Sequence, residues 1–431
     1  MKGQGDVQKV LSVKTRTFEK IVRLTKELIT CVGFKERSRK KETDFTRKRK
    51  MSFDELILFM LNSYKCSTQS ALRRFFTDIC KKVLMKQQSF SEARKKISVS
   101  AFIEIFKLSV DVLLEDCRLT WHGYRLCAID GSKIALPSAK TLLKYYGGTG
   151  AGASSPTAQG SILYDVLNDI VCDALIEPLS TDERTLAAMH IEHGMDSLSD
   201  EKMLIVFDRG YPSFDLIKKL ENKGIKYVMR VRAKFNVDID AQNNSDGFVC
   251  LVKDDESLPV RVVKFTLDSG EIETLITNIK DKRLGVKAFK KLYFLRWPVE
   301  TKYDVVKNKL QLENFTSQTV EGIRQDFYAV MYLTNVAAAA AHDAQADVSM
   351  SQVGKNKKYK YHININELTG ILKDRLISAF LIKQDKKRAE KIQEILNEIA
   401  YNVVPIRPGR SVRRNPNPRR TKFHHNRKVN C

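Results

Sequence analysis

Between residues 203 and 231 the hydrophobic period changes from 2 to about 3.6 and back, and that switch confines the chain to a small set of folds. Met203–Phe207 (MLIVF) reads as a strand, and Asp208-Arg-Gly-Tyr211 follows it as a turn. A helix is expected from about Ser213 to Lys223, with Gly224 closing it, and Ile225–Val231 returns as a strand. A strand–turn–helix–strand unit of this kind marks an α/β core.

The flanking sequence extends the core. RLCAIDGSKIALP (125–137) reads as a strand with an interrupting Asp-Gly, and SILYDVLNDIVCDALIEPLS (161–180) as two strands around Asn168-Asp169. Gly147–Gly160 is a Gly-, Ala- and Ser-rich loop between them, and Ser180-Thr-Asp-Glu183 reads as a capping box opening a helix that stops at Gly194. Residues 232–280 alternate polar and apolar positions around turn signals, giving a β-rich insertion. From Gly285 the chain is expected to be helical through Ala337–Ala341, then a polar loop covers Asp347–Lys360, and a helical segment runs over about Glu367–Ala400. Residues 1–120 read as helical. Within them STQSALRRFF and SFSEARKKIS form two basic amphipathic segments compatible with a helix-turn-helix or an ordinary αα-hairpin. The expected organisation is a helical 1–120 domain, an α/β domain over 121–345 interrupted by 232–280, a helical 346–404 region, and a Pro- and Arg-rich tail, 405–431, disordered until bound.

Charge is distributed unevenly. The net formal charge is +24, yet residues 1–50 hold 16 Lys and Arg against 6 Asp and Glu, and residues 405–431 hold 9 against none. The 354 residues between hold 50 against 45. A balanced body with two basic ends points to a polyanion, most commonly nucleic acid. No apolar run approaches a membrane span, and MKGQGDVQKVLSVKTRTFEK lacks the apolar stretch of a signal peptide, so neither membrane integration nor secretion is expected. Eight scattered cysteines without a Cys-x-x-Cys pair read as reduced thiols, and His190 and His193 as helix-surface residues rather than zinc ligands.

Three carboxylates stand out. Asp130 follows apolar Cys127–Ile129 inside a strand, a costly place for an unpaired charge. Asp208 sits where MLIVF ends, the location at which open α/β sheets bind ligands. Glu300 belongs to KKLYFLRWPVETKYDVVKNKL, read as helical with a kink or start at Pro298. Phe289, Leu292, Val299, Tyr303, Val306 and Leu310 form its core stripe, and Tyr293, Arg296, Glu300 and Lys307 a second stripe beside it. The second stripe reads either as a solvated face or as a mixed acid–base edge facing a metal ion and phosphates.

The spacing Tyr-x2-Arg-x3-Glu-x6-Lys at Tyr293, Arg296, Glu300 and Lys307 resembles the signature of DDE transposases of the insertion-sequence-4 family. Ala128-Ile-Asp130-Gly-Ser and Phe207-Asp208-Arg-Gly-Tyr211 resemble that family's first two acidic blocks, in order, over about residues 45–340. The resemblance implies an RNase H-like catalytic core in which Asp130, Asp208 and Glu300 converge as catalytic residues and metal ligands. It implies two Mg2+ ions, replaceable by Mn2+, with Asp130 bridging them. Arg296 and Lys307 would clamp phosphates, and Tyr293 would bond a phosphate or stack on a base. Arg209 and Lys133, each close to one of the acids in sequence, read either as DNA contacts or as ordinary surface charges. The partners implied are double-stranded DNA, both element terminal repeats and target, and a second copy of the chain. The implied place is the cytoplasm, at the nucleoid in a bacterial host. A nuclease of the same fold and an inactive DNA-binding relative remain alternatives. Both tryptophans, Trp121 and Trp297, lie outside 232–280, where hairpin-forming members are thought to place the aromatic that stacks a flipped base.

Overall fold

A computed structural model describes residues 16–407 apart from 48, 63–65, 194–201, 297 and 354–357. Its centre is one mixed sheet. The strands are β1 (Arg125–Ala135), β2 (Gly148–Thr149), β3 (Ser155–Asp165), β4 (Ile170–Pro178), β5 (Met203–Phe207), β6 (Lys226–Val231), β7 (Asp246–Lys253), β8 (Glu256–Thr266) and β9 (Ile272–Thr277). Across the sheet they run β2-β3-β1-β5-β6-β9-β8-β7, with β4 also paired to β3. β1, β5 and β6 are parallel, and the remaining pairings are antiparallel.

The parallel centre is buried on both faces, which explains why MLIVF is apolar throughout rather than alternating. One face carries Leu126, Leu204, Val206, Val228, Val263 and Leu275, covered by Phe289 and Leu292 of the helix Val286–Phe294. The other face carries Cys127, Ile129, Ile205, Phe207, Tyr227 and Met229 and belongs to the larger core. That core includes the helices Glu183–His193, Phe214–Asn222 and Val320–Gln352. The helix Phe214–Asn222 starts where the Ser213 hydroxyl accepts from the Leu216 amide at 3.3 Å. It ends before Gly224, whose φ of +67° is open to glycine without strain.

Among the described residues six α-helices precede the sheet, including Phe53–Leu61, with a full Ser52/Glu55 capping box, and Val99–Asp116. They share a core with Val320–Gln352 and with the helices Ile365–Leu381 and Asp385–Tyr401. The two basic segments fold as Thr68–Arg73, running on into a π-helical turn, Arg74–Ile79, and as Gln87–Arg94. Arg94 is buried. It donates to Asp326 (2.8 Å), Thr316 (2.7 Å), Gln325 (3.0 Å) and the Gly322 carbonyl (2.9 Å), so it is an internal tether.

Several local expectations change. Asp130-Gly131 does not interrupt its strand, because β1 pairs with β3 without a break from Cys127 to Ala135. The cap of Glu183–His193 is Asp182, whose Oδ1 accepts from Arg184 N (3.0 Å) and Thr185 N (3.2 Å), so the Ser180 capping box does not form. His190 is fully buried rather than on a helix surface. Gly147–Gly160 is strand from Ser155 onward, since β3 continues on that side to pair with β2. Residues 232–280 supply β7–β9, which continue the same sheet through β6–β9 pairing, and also the short helix Val237–Ala241 that period-2 alternation conceals.

Helix from Gly285 is not continuous. It divides into Val286–Phe294, Pro298–Asp304, a π-helical turn Val305–Lys309 and, after a loop, Val320–Gln352, which runs into the expected polar loop. Among the described residues the C-terminal region holds two helices, separated at Ile382–Gln384 and closed by Lys360–Ile363 pairing with Val403–Ile406. The expected tail therefore begins in a strand, and its residues 408–431 lie outside the described residues, as does Gly194. Among the described residues no helix is long and apolar enough to cross a membrane.

Candidate active site at the strand ends

Register brings the first two carboxylates together. Ala128 pairs with Val206 and Val206 with Val228 across the parallel strands. Two residues further along each strand, on the same face by period 2, come Asp130, Asp208 and Arg230. The apolar residues before them bury the sheet centre, so the charges begin where that burial ends. Asp208 is bounded by Tyr293, whose hydroxyl donates to Asp208 Oδ1 at 3.1 Å, and by Arg230 at 3.9 Å.

Glu300 arrives from the helix Pro298–Asp304. Its Oε1 accepts from Arg296 Nη2 at 2.8 Å, and the Arg296 guanidinium lies 5.8 Å from the centre of the Tyr293 ring. All six residues of the expected core stripe are buried, but they serve two cores: Phe289 and Leu292 pack on one sheet face, and Val299, Tyr303, Val306 and Leu310 in the larger core. The chain changes sheet face between them, and Arg296 and Glu300 stand beside that change.

Electrostatics link the three acids. Burial pushes the Asp130 carboxyl up to about 6; Arg296 and the Gly131 amide oppose this, and the Glu300 and Glu183 carboxylates add to it. Burial also works against the charge of Arg296, but its bond to Glu300 and the nearby Tyr293 and Asp208 keep it above its ordinary value. Burial and Asp208 push Tyr293 up to about 12, so its hydroxyl remains a donor at neutral pH. The acids thus surround one guanidinium. Among the described residues no three His, Cys, Asp or Glu side chains stand close enough together to hold a metal ion. The donor set itself, carboxylate oxygens from two strand ends and a helix, half-buried, is of the kind hard divalent cations take.

The other expected residues are placed less directly. Lys307 Nζ donates to the Lys133 carbonyl and lies 3.5 Å from Glu313, which ties it to the outgoing end of β1. Lys133 and Arg209 are exposed, one beyond Asp130 and one immediately after Asp208. Trp297 lies outside the described residues.

Four residues at the site escaped the sequence reading. Arg230 was legible in principle, two positions after Val228 in a strand already identified. Glu183 reads in the sequence as part of a capping box; instead its carboxylate lies beside both acid-bearing segments, 3.5 Å from where a Gly131 Cβ would stand and 3.1 Å from where a Gly210 Cβ would. Tyr211 is buried beside Asp130, Glu183 and Asp208. Tyr303, read only as core, donates its hydroxyl to the Asp130 carbonyl at 3.0 Å.

Asp130 and Asp208 thus stand at adjacent strand ends of an α/β sheet, with Glu300 on a following helix and Arg296 between them. The family described as "Transposase DDE domain" matches residues 121–336, and the chain belongs to it. No curated protein matches the chain. Among solved structures it is similar to the piggyBac transposase synaptic complex with hairpin DNA, with a TM-score of 0.48 and 12% identity over 87% of this chain and 85% of that one.

Proposed function

We propose that this transposase binds the terminal inverted repeats of its own mobile element, cuts there and joins the freed 3′ ends to target DNA. The observation that carries the reading is the shared level of Asp130 and Asp208 on adjacent parallel strands, with Glu300 linked to them through Arg296. The strand order β4-β3-β1-β5-β6, with the first three antiparallel and the last three parallel, supports an RNase H-like core over the family's matched span. The Tyr293, Arg296, Glu300 and Lys307 spacing supports placement near the insertion-sequence-4 group.

Asp130, Asp208 and Glu300 would hold the divalent cations, two Mg2+ ions with Mn2+ as a substitute. When bound, such cations supply charge neutralisation at the phosphate and activation of water or a 3′-hydroxyl. The chain's own groups do the rest. Tyr293 fixes the rotamer of Asp208 by donating to it. Arg296 neutralises Glu300 within the protein and is placed to take a phosphate oxygen when DNA is present. Lys307, Lys133 and Arg209 line the same edge and would contact the backbone. Residues 1–120 would bind the repeats. Two copies would be needed, since both element ends must be held together.

The basic ends would supply salt-sensitive affinity around a body whose acids face DNA. Deleting residues 405–431, which carry 9 positive charges and no negative ones, is expected to weaken DNA binding and to flatten the slope of log affinity against log salt. Unchanged binding in a salt titration would remove the tail from the interface.

The reading is tested by incubating pre-cut element ends, target DNA and Mg2+ with the protein. Joined products are expected. Hydrolysis without joining would make the protein a nuclease, and a gel shift without chemistry would make it a binding protein.

A further inference from the structure

One buried polar chain lies behind the site. His190 is fully buried on the helix Glu183–His193, and its Nδ1 is 2.7 Å from Asp173 Oδ2 on β4. Its Nε2 is 2.9 Å from Ser161 Oγ on β3, and Ser161 in turn donates to the Asp130 carbonyl at 3.2 Å. The arrangement has the residue types of a hydrolytic Ser-His-Asp triad. Ser161 is 1% exposed and His190 0%, however, so no substrate reaches the hydroxyl.

Proton counting sets the direction of the chain. A carbonyl only accepts, so the single Ser161 proton goes to Asp130, and Nε2 must therefore carry a proton and donate to Ser161 Oγ. Nδ1 shares a proton with the Asp173 carboxyl. All three bonds are satisfied at once only when the His190–Asp173 pair holds protons on both sides of the ring. Such a fully satisfied buried network specifies one arrangement of the strands it joins. Here it joins β4, β3 and β1 at the residue whose side chain is the first acid of the site. The Tyr303 hydroxyl, on the helix that bears Glu300, also donates to this carbonyl, at 3.0 Å.

The geometry points to Asp173, His190 and Ser161 as positioning residues that set the orientation of Asp130 for cation binding. This rests on the reading that Asp130 is a metal ligand. The role is mechanical: the carbonyl of Asp130 is gripped by Ser161 and Tyr303, so the Cα–Cβ bond of that residue is aimed before any cation arrives. Outer groups that orient a ligand typically alter metal affinity by one or two orders of magnitude.

The experiment is calorimetric titration of the full-length protein with Mn2+, alongside thermal melts. Four proteins are compared: wild type, Ser161→Ala, Asp130→Ala, and Asp130→Ala with Ser161→Ala. Ser161→Ala is expected to weaken Mn2+ binding about tenfold, and Asp130→Ala to weaken it further. Adding Ser161→Ala to Asp130→Ala should then change nothing, because the group it positions is gone. Tyr303→Phe, which removes the other donor with little change of volume, provides a second variant if Ser161→Ala melts too low to titrate; the same loss of affinity is expected. Wild-type affinity in a folded Ser161→Ala or Tyr303→Phe protein overturns the positioning role. Wild-type affinity in Asp130→Ala overturns the ligand reading beneath it, and a merely structural role would lower the melting temperature alone.

Discussion

Asp130→Asn is expected to be more stable than the wild-type chain at pH 7.5 without divalent cations, by up to about 3 kcal/mol. The Asp130 carboxyl is raised from 3.8 to about 6 in the folded protein, chiefly by burial. Between about pH 4 and pH 6 the folded state then holds a proton that the unfolded chain has released, so stability falls as pH rises through that window. Above it the penalty is complete. Asparagine has no proton to lose and retains the carboxyl's shape, so it escapes the penalty, and the two proteins should converge below about pH 4. Thermal melts at pH 3.5 and 7.5 check this. Equal stability at the higher pH would mean that the acid is not held against its preference. A site that is costly without its cation is one that a cation stabilises, and the same substitution should remove strand cleavage.

Arg125→Leu is expected to cost about 3–5 kcal/mol. Arg125 and Asp165 are both fully buried, with Nη1 2.6 Å from Oδ2, at the beginning of β1 and the end of β3. The guanidinium also donates to the carbonyls of Cys117 and Leu114 at 3.3 Å, joining the last helix before the sheet to its central strand. Asp165 accepts as well from the Asn168 side chain (2.7 Å) and from the Leu167 and Asn168 amides (3.1 Å each). Burial nevertheless holds its carboxyl above the ordinary value, so desolvation already outweighs these partners. Removing Arg125 leaves that charge buried with neutral donors only. Urea denaturation should show the loss, and Arg125→Leu with Asp165→Asn should recover part of it, because no charge then remains to desolvate. A single mutant within 1 kcal/mol of wild type would contradict the estimate.

The sequence carried the central strands because each is short, apolar and bounded by turn residues. Met203–Phe207, the Ser213-capped helix and Lys226–Val231 fall where the period places them. Asp130 and Asp208 were visible for a related reason, as charges at the ends of runs that must be buried. Register was harder to read, since nothing in one sequence says that β1 lies against β5, and without that pairing Arg230 is only a polar end to a strand. Long-range polar pairing was invisible altogether. His190 looked like a surface residue because its partners, Asp173 and Ser161, lie 17 and 29 residues away. The helix carrying Glu300 was placed correctly by its stripe, but periodicity could not reveal that the stripe passes from one core to another near Pro298.

Asp130 is proposed to bind the divalent cation used to cut and join DNA. A joining assay on Asp130→Cys protein tests it most directly, with pre-cut element ends supplied and Mg2+ compared with Mn2+. A thiolate is a poor ligand for Mg2+, which prefers oxygen, and a tolerable one for the softer Mn2+. No joined product is expected with Mg2+, and restored product with Mn2+. Joining at the wild-type level with Mg2+ would contradict that role.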